Sequence, residues 1–112
     1  MEKLNNIHPG EILMKEFLSP LGISAYKLAK DTAIPHTRVS EIIKGRRRIT
    51  ADTALRFSKY FDTTPKFWLG LQDDFDLEEE QHLIFNELNS IETLHINKAL
   101  PYYSFTHFYA RE

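Results

Sequence analysis

The sequence contains no cysteine, which excludes structural disulfides, thiolate catalysis and zinc sites with cysteine ligands. No apolar run approaches the roughly 18 residues that a membrane-spanning helix needs. The first six residues lack the basic and apolar regions of a secretory signal. We therefore expect a soluble protein with no membrane contact, located in the cytoplasm, whose reducing conditions fit the absence of cysteine.

Residue patterns that carry catalysis are also missing. No Ser-His-Asp arrangement, pair of carboxylates or glycine-rich phosphate loop stands out, so we expect neither an enzyme nor a cofactor. Glu78 and His82 lie four positions apart, the minimum for a metal-binding helix face, but one such pair does not predict a metal site.

Charge is distributed unevenly along the chain, although the net charge is only −2. Residues 24–48 hold seven basic and two acidic side chains, whereas residues 73–112 hold nine acidic and two basic ones. This asymmetry favours two binding faces with different partners. Ordinary solvated charge is the alternative interpretation.

Turn and cap residues divide the 112-residue chain into short helices. We expect helix 1 at about residues 9–18, helix 2 after the N-cap Ser24, and helix 3 at about residues 35–44. Gly45 follows helix 3 as a left-handed residue. Helices 4 and 5 begin after Thr50 and Thr64, and helix 4 buries one stripe. The stripe consists of Ala54, Leu55, Ser58 and Phe61.

A capping-box pattern at Asp76 predicts the start of a sixth helix. The fold class expected is all-α, with five helices, an additional C-terminal helix and an aromatic tail. We assign residues 7–72 to a helix-turn-helix domain and residues 73–112 to a C-terminal helix and tail that serve dimer or partner contacts.

The assignment of a helix-turn-helix rests on helices 2 and 3. The small residue Ala29 lies where these two helices cross, and the other apolar positions at the expected spacing are Leu28, Ile34, Val39 and Ile42. Two helices joined by a tight turn can place the second one in the major groove of DNA.

Helix 3 presents polar side chains that can hydrogen-bond base edges and phosphates: His36, Thr37, Arg38, Ser40, Glu41 and Lys44. Arg46, Arg47 and Arg48 follow directly and suit phosphate contacts, because each guanidinium offers forked donors. A solvated basic loop is the alternative. Arg38 can read guanine or hold a phosphate, and Glu41 can accept from cytosine or pair with a nearby arginine.

These motifs resemble the HigA/VapI antitoxins, a branch of the Cro/C1-type (Xre) helix-turn-helix family. The matching segments are residues 8–13, 17–24, 26–30, 34–35, 38–42, 44–47, 49–56 and 67–72, and the resemblance covers about residues 7–80. It implies a Cro/C1-type fold and a homodimer that represses its own operon at a palindromic DNA operator. It also implies a partner, a small basic toxin that is commonly a RelE-like mRNA endonuclease, which the antitoxin neutralises.

The resemblance also implies roles for particular residues. Base contacts fall on His36, Thr37, Arg38 and Glu41. Phosphate contacts fall on Ser24, Tyr26, Lys27, Lys44, Arg46, Arg47 and Thr50. The turn departs from the family pattern, because Ala33 stands where glycine is favoured, and a positive φ there would strain alanine.

Candidates for dimer or partner contacts lie outside the motif: Phe67, Trp68, Leu71, Ile84, Leu88, Tyr103 and Phe105. For Phe67 and Trp68 we favour a place in the core, and a dimer contact through helix 5 is the alternative. Residues 102–109 hold five aromatic side chains, so we expect this tail to pack on its own domain, a dimer mate or the toxin. The acidic stretch at residues 73–92 is either a toxin-binding surface or a solvated helix face.

Two other functions stay open at this point. One is a stand-alone repressor of the phage type, without a toxin partner. The other is a protein-interaction module that has lost DNA binding, against which the basic cluster at residues 44–48 argues.

Overall fold

The computed structural model describes residues 5–95, and this part of the chain is helical without any strand. The first helix, α1, comprises Pro9–Ile12, the π-helical segment Leu13–Leu18, and Ser19–Leu21. The others are α2 Ala25–Thr32, α3 His36–Ile43, α4 Ala51–Phe61, α5 Pro65–Leu83 and α6 Phe85–Asn89. The expected all-α class is confirmed. No helix in the described range is long and apolar enough to cross a membrane.

Three N-caps expected from the sequence are confirmed. The side-chain oxygens of Ser24, Thr50 and Thr64 each accept a hydrogen bond from the backbone N–H three residues further on. Such a bond satisfies one of the N–H groups that the first turn of a helix leaves without a partner. Each cap contributes about 1 kcal/mol to stability, and together they fix where α2, α4 and α5 begin.

Helix α1 continues to Leu21, three residues beyond its expected end, and includes Pro20. Proline has no N–H and cannot donate to the carbonyl four residues earlier. The π-helical segment ends just before it, where the N–H of Ser19 donates to the carbonyl of Met14. The shifted hydrogen-bond pattern accommodates proline in the last turn.

The core gathers around the contact between α2 and α3. Its buried apolar residues are Leu13, Leu18, Leu28, Ala29, Ile34, Val39, Ile42, Ile49, Ala54, Phe57 and Trp68. All five apolar positions expected of the helix-turn-helix are among them. The stripe expected on α4 is partly wrong, since Leu55 is 59% exposed and Phe57 is buried instead. Ala54 and Ser58 of the predicted stripe are buried as expected.

Trp68 belongs to an aromatic cluster that joins α1, α4 and α5. Its ring centroid lies 4.9 Å from that of Phe17 and 5.2 Å from that of Phe57. Its Nε1–H donates to Thr63 Oγ1 at 2.8 Å. Because Trp68 is fully buried within the chain, its assignment as a dimer or partner contact is wrong and its core role is correct.

The capping box expected at Asp76 does not form, because α5 runs unbroken from Pro65 to Leu83. The Asp76 carboxylate instead accepts hydrogen bonds from Gln72 within α5 and from Arg48 in the loop after α3. The break comes at Ile84, and a short helix α6 follows it. Helix α5 therefore crosses the expected boundary between residues 72 and 73.

Helix α1 passes very close to the end of α3. A Cβ added at Gly10 would lie 1.8 Å from the carbonyl oxygen of Ile42, a distance that no side chain permits. Glycine at this position lets the two backbones meet and fixes α3 against α1.

Candidate nucleic-acid interface

The turn between α2 and α3 is tight and strained. Ala33 ends α2 in the left-handed region, with φ 57° and ψ 40°, as the departure from the family pattern suggested. The N–H of Ile34 donates to the carbonyl of Ala29 at 3.0 Å, and the Ile34 side chain is buried. The turn therefore has the left-handed geometry that would favour glycine, although alanine occupies it.

The starts of α2 and α3 share one exposed face. His36 and Thr37 are exposed in the first turn of α3, and Arg38, Ser40 and Glu41 are half-buried. Tyr26 in α2 is 67% exposed, and its ring centroid lies 6.1 Å from that of His36. Helix α3 thus offers a polar ridge flanked by an aromatic side chain.

The loop after α3 presents the basic cluster to solvent. Gly45 has φ 76°, and this left-handed conformation reverses the chain as expected. Its N–H donates to the carbonyl of Ile42, and the N–H of Arg46 donates to the carbonyl of Glu41 at 2.8 Å. The side chains of residues 46–48 are consequently exposed beside the end of α3.

Several cations of the interface are paired with carboxylates in the free protein. The nitrogen–oxygen distances are 2.7 Å for Arg38–Asp52, 2.8 Å for Arg47–Glu41, 2.7 Å for Arg48–Asp76 and 2.9 Å for Lys27–Asp31. Glu41 therefore makes the arginine pair that was one of its two expected roles. Exposed ion pairs contribute little to stability, so a DNA phosphate can replace the carboxylates paired with Arg47, Arg48 and Lys27 at small cost.

Arg56 on α4 braces the motif, although it was not among the site residues predicted from the sequence. Its Nε–H faces both carboxylate oxygens of Asp52 at 3.2 Å, and its Nη1 donates to the carbonyl of Thr32 at 2.9 Å. Hydrogen bonds from Arg38 and Arg56 lower the pKa of Asp52 below its ordinary value. The i,i+4 spacing of Asp52 and Arg56 is visible in the sequence and predicts an ion pair on one helix face. The contact of Arg56 with Thr32 is not visible there, because 24 positions separate the two residues.

These groups line an open depression of about 300 Å³ between α3 and the first turn of α4. Four arginines and one acid line it, together with two threonines at the start of α4: Arg38, Arg47, Arg48, Arg56, Asp52, Thr50 and Thr53. The positive end of the helix dipole adds to the charge of the arginines. The depression suits an anionic group such as a DNA phosphate.

Two further contacts hold the basic loop in place. The buried side chain of Gln72 accepts a hydrogen bond from the N–H of Ile49 at 2.7 Å. The ring of His8 packs edge-on against Phe75 with centroids 4.9 Å apart, and its Nδ1 accepts from the N–H of Gly10. Burial lowers the pKa of His8, against an opposing effect of Asp76. Sequence alone did not indicate these contacts, which join distant segments.

Of the candidate partner contacts, Phe67 and Leu88 are exposed, and Leu71 and Ile84 are half-buried. Tyr103 and Phe105 lie outside the described residues. Other exposed apolar side chains on α5, α6 and the following segment are Leu77, Leu83, Phe85, Ile91 and Leu94. Within the described range, no three histidine or acidic side chains form a group that could hold a metal ion.

The fold and this exposed face define a helix-turn-helix protein. A family model described as helix-turn-helix matches residues 14–68. The chain is 49% identical over 72 residues to virulence-associated protein I of Dichelobacter nodosus, an alignment that covers 64% of this chain and 67% of the relative.

Two solved structures extend the comparison. An addiction module antidote protein of the HigA family from Coxiella burnetii is 46% identical, with a TM-score of 0.76, over 82% of this chain and all of the other. Pseudomonas aeruginosa antitoxin HigA, solved with the higBA promoter, is 37% identical, with a TM-score of 0.77, over 81% of this chain and all of the other. The chain belongs to the Cro/C1-type (Xre) helix-turn-helix family, in the branch of the HigA/VapI-type antitoxins.

Proposed function

We propose that the chain is the antitoxin of a type II toxin–antitoxin pair and represses its own operon by binding an operator through α3. The observation that carries this proposal is the exposed polar ridge of α3, which lies beside the basic loop at residues 46–48. The similarity to a HigA antitoxin solved with promoter DNA supports it.

The DNA contacts divide by chemistry. Base edges would be read by His36, Thr37, Arg38 and Glu41, which lie on the first two turns of α3. Phosphates would be held by Ser24, Tyr26, Lys27, Ser40, Lys44, Arg46, Arg47, Arg48 and Thr50, which surround that ridge. In a homodimer the two α3 helices would enter successive major grooves about 34 Å apart.

The toxin contact is proposed for residues 73–112, of which the structure describes the part up to residue 95. The second half of α5 is acidic, with Glu78 and Glu80 exposed, and it carries the exposed apolar residues Leu77 and Leu83. A toxin of the RelE-like type must bind RNA and is therefore basic. An acidic surface with apolar anchors complements such a partner.

The repressor function is tested by a salt titration of binding to the DNA upstream of the protein's own gene. Arg38→Ala should relax the sequence preference, because it removes a base contact. Arg47→Ala should weaken binding to all sequences and reduce the salt slope by about 1. No binding above that of unrelated DNA at any salt concentration would contradict the repressor function.

The alternative, a phage-type repressor without a toxin, predicts no small basic reading frame beside the gene and no bound partner. The antitoxin function predicts that the product of such a frame co-purifies with this protein. Glu80→Lys should weaken that complex, and Glu16→Lys serves as the matched control because Glu16 is an exposed acid on α1. Equal retention by both variants would argue against the α5 surface.

A further inference from the structure

A connected set of hydrogen bonds runs from the end of α2, through α4, to the first turn of α3. The carbonyl of Thr32 accepts from Arg56 Nη1 at 2.9 Å. The Nε–H of Arg56 faces both oxygens of Asp52 at 3.2 Å. Asp52 Oδ2 then accepts from Arg38 Nη1 at 2.7 Å. Three side chains therefore link the two helices of the motif.

Helix ends hold this set of hydrogen bonds in place. Thr32 lies in the last turn of α2, where helical carbonyls have no partner within the helix. Asp52 lies in the first turn of α4, where the helix dipole favours a negative charge. Both ends of the Arg56–Asp52 pair are therefore held in place, so the carboxylate can hold the Arg38 side chain in one orientation.

We propose that Asp52 and Arg56 are positioning residues that set the sequence preference of Arg38. This inference rests on the proposed function, because it takes α3 to contact base edges. A guanidinium carries five N–H donors, so a bond to Asp52 along one edge directs the opposite edge outward. That edge matches the two acceptors that guanine presents in the major groove.

The charge of Asp52 adds a second effect. A carboxylate beside Arg38 repels a phosphate that approaches the same guanidinium, so it disfavours complexes in which Arg38 only neutralises the DNA backbone. The pair therefore weakens binding to unrelated sequences while it supports binding to the operator. A purely structural role for Arg56, bracing α2, would instead change the affinity for all DNA by the same factor.

The test compares dissociation constants of the full chain for two duplexes of equal length, one from upstream of its own gene and one with the same bases shuffled. Asp52→Asn keeps the size of the side chain and removes its charge. The specificity ratio is the dissociation constant for the shuffled duplex divided by that for the upstream duplex. We expect Asp52→Asn to strengthen binding to the shuffled duplex and to reduce this ratio by about 10-fold. Arg56→Lys should reduce the ratio too, because a lysine cannot fork between Asp52 and Thr32.

Two controls separate positioning from other effects. Lys59→Gln changes one charge at an exposed position on the same helix and should alter both constants together. Asp52→Asn in an Arg38→Ala background should leave the ratio unchanged from that of Arg38→Ala alone, because Asp52 then has no arginine to orient. Thermal unfolding of each variant confirms that it is folded.

Each outcome bears on the inference in a distinct way. A ratio that falls with Asp52→Asn only when Arg38 is present supports it. Suppose that the wild type prefers its own upstream DNA. If Asp52→Asn does not lower the ratio, or lowers it equally in the Arg38→Ala background, the inference is overturned and the proposed function is left intact. A wild type that does not distinguish the two duplexes overturns both.

Discussion

Ala33 holds the turn of the helix-turn-helix in a conformation that costs alanine free energy. At φ 57° the methyl group crowds the following carbonyl oxygen, at a cost of roughly 1–2 kcal/mol for an L-residue. Asp62 has the same φ at the end of α4, but aspartate adopts this region more readily than alanine, because its short polar side chain is able to hydrogen-bond to nearby backbone groups. Ala33 and Asp62 therefore have the same backbone φ at a helix end and differ in how readily their side chains accept it.

Ala33→Gly should therefore stabilise the protein. Removing the strain outweighs the greater chain entropy of glycine in the unfolded state, about 0.4–1 kcal/mol, and the net gain is about 0.5–1 kcal/mol. Urea unfolding measures it, and Asp62→Gly is the control, with a change near zero. A loss of stability on Ala33→Gly would contradict the strain assigned to this turn.

His8 is the residue through which pH acts on the first helix. Its Nδ1 caps α1 by accepting from Gly10, which requires the neutral ring, and burial lowers its pKa from the ordinary value of 6.5. The unfolded chain consequently binds a proton more readily than the folded one. The contribution of the neutral His8 ring to the free energy of unfolding is therefore fully present above pH 6.5. It is lost as the pH falls towards the lowered pKa of His8 in the folded protein.

Unfolding free energies measured in urea between pH 7.5 and about 5 test this effect. The wild type should lose stability across this range. His8→Asn should lose less, because asparagine is a good N-cap that does not titrate. Equal slopes for the two proteins would show that His8 is not the group responsible.

Local chemistry made several of these residue roles predictable. Ser24, Thr50 and Thr64 cap helices through the N–H three positions on, and that distance is visible in sequence. The positive φ at Ala33 was also accessible, because the resemblance identified a glycine position. Arg56 was not, since its bond to Thr32 depends on how α4 packs against α2.

At the scale of elements, α5 supports the loop that carries the basic cluster. Gln72 lies in the middle of this helix and accepts a hydrogen bond from the buried N–H of Ile49. Its own amide donates to Asp76, which in turn binds Arg48. The prediction of a helix start at Asp76 was wrong because α5 continues through this position, so no free N–H groups of a first turn are present for the carboxylate to cap. The sequence pattern could not show that continuation.

Gln72→Ala should destabilise the fold by about 1–3 kcal/mol, because it leaves a buried N–H without an acceptor. Gln81→Ala, at an exposed position on the same helix, is the matched control and should change stability little. Chemical unfolding of both variants measures the difference. Equal effects would mean that the N–H of Ile49 does not depend on α5.

At the scale of the whole molecule, the two charge blocks of the sequence lie on different parts of the fold. The basic residues surround α3 and the loop after it, while the exposed acids continue along α5 beyond the core. The helix-turn-helix core and its cap residues could be predicted from the sequence, because they depend on residue spacing and local chemistry. The partner surface proposed on α5 would depend on the shape of that partner, so the sequence of one chain indicates only the charge and the exposed apolar residues of this helix.

The central claim, that α3 reads DNA, is tested most directly by hydroxyl-radical footprinting together with guanine methylation interference on the DNA upstream of the gene. We predict two protected half-sites about one helical turn apart, with centres separated by about 10–10.5 base pairs. Methylation of guanine N7 in the major groove of each half-site should block binding, and Arg38→Ala should weaken that interference. Protection without regular spacing, or binding that major-groove methylation does not affect, would contradict the claim.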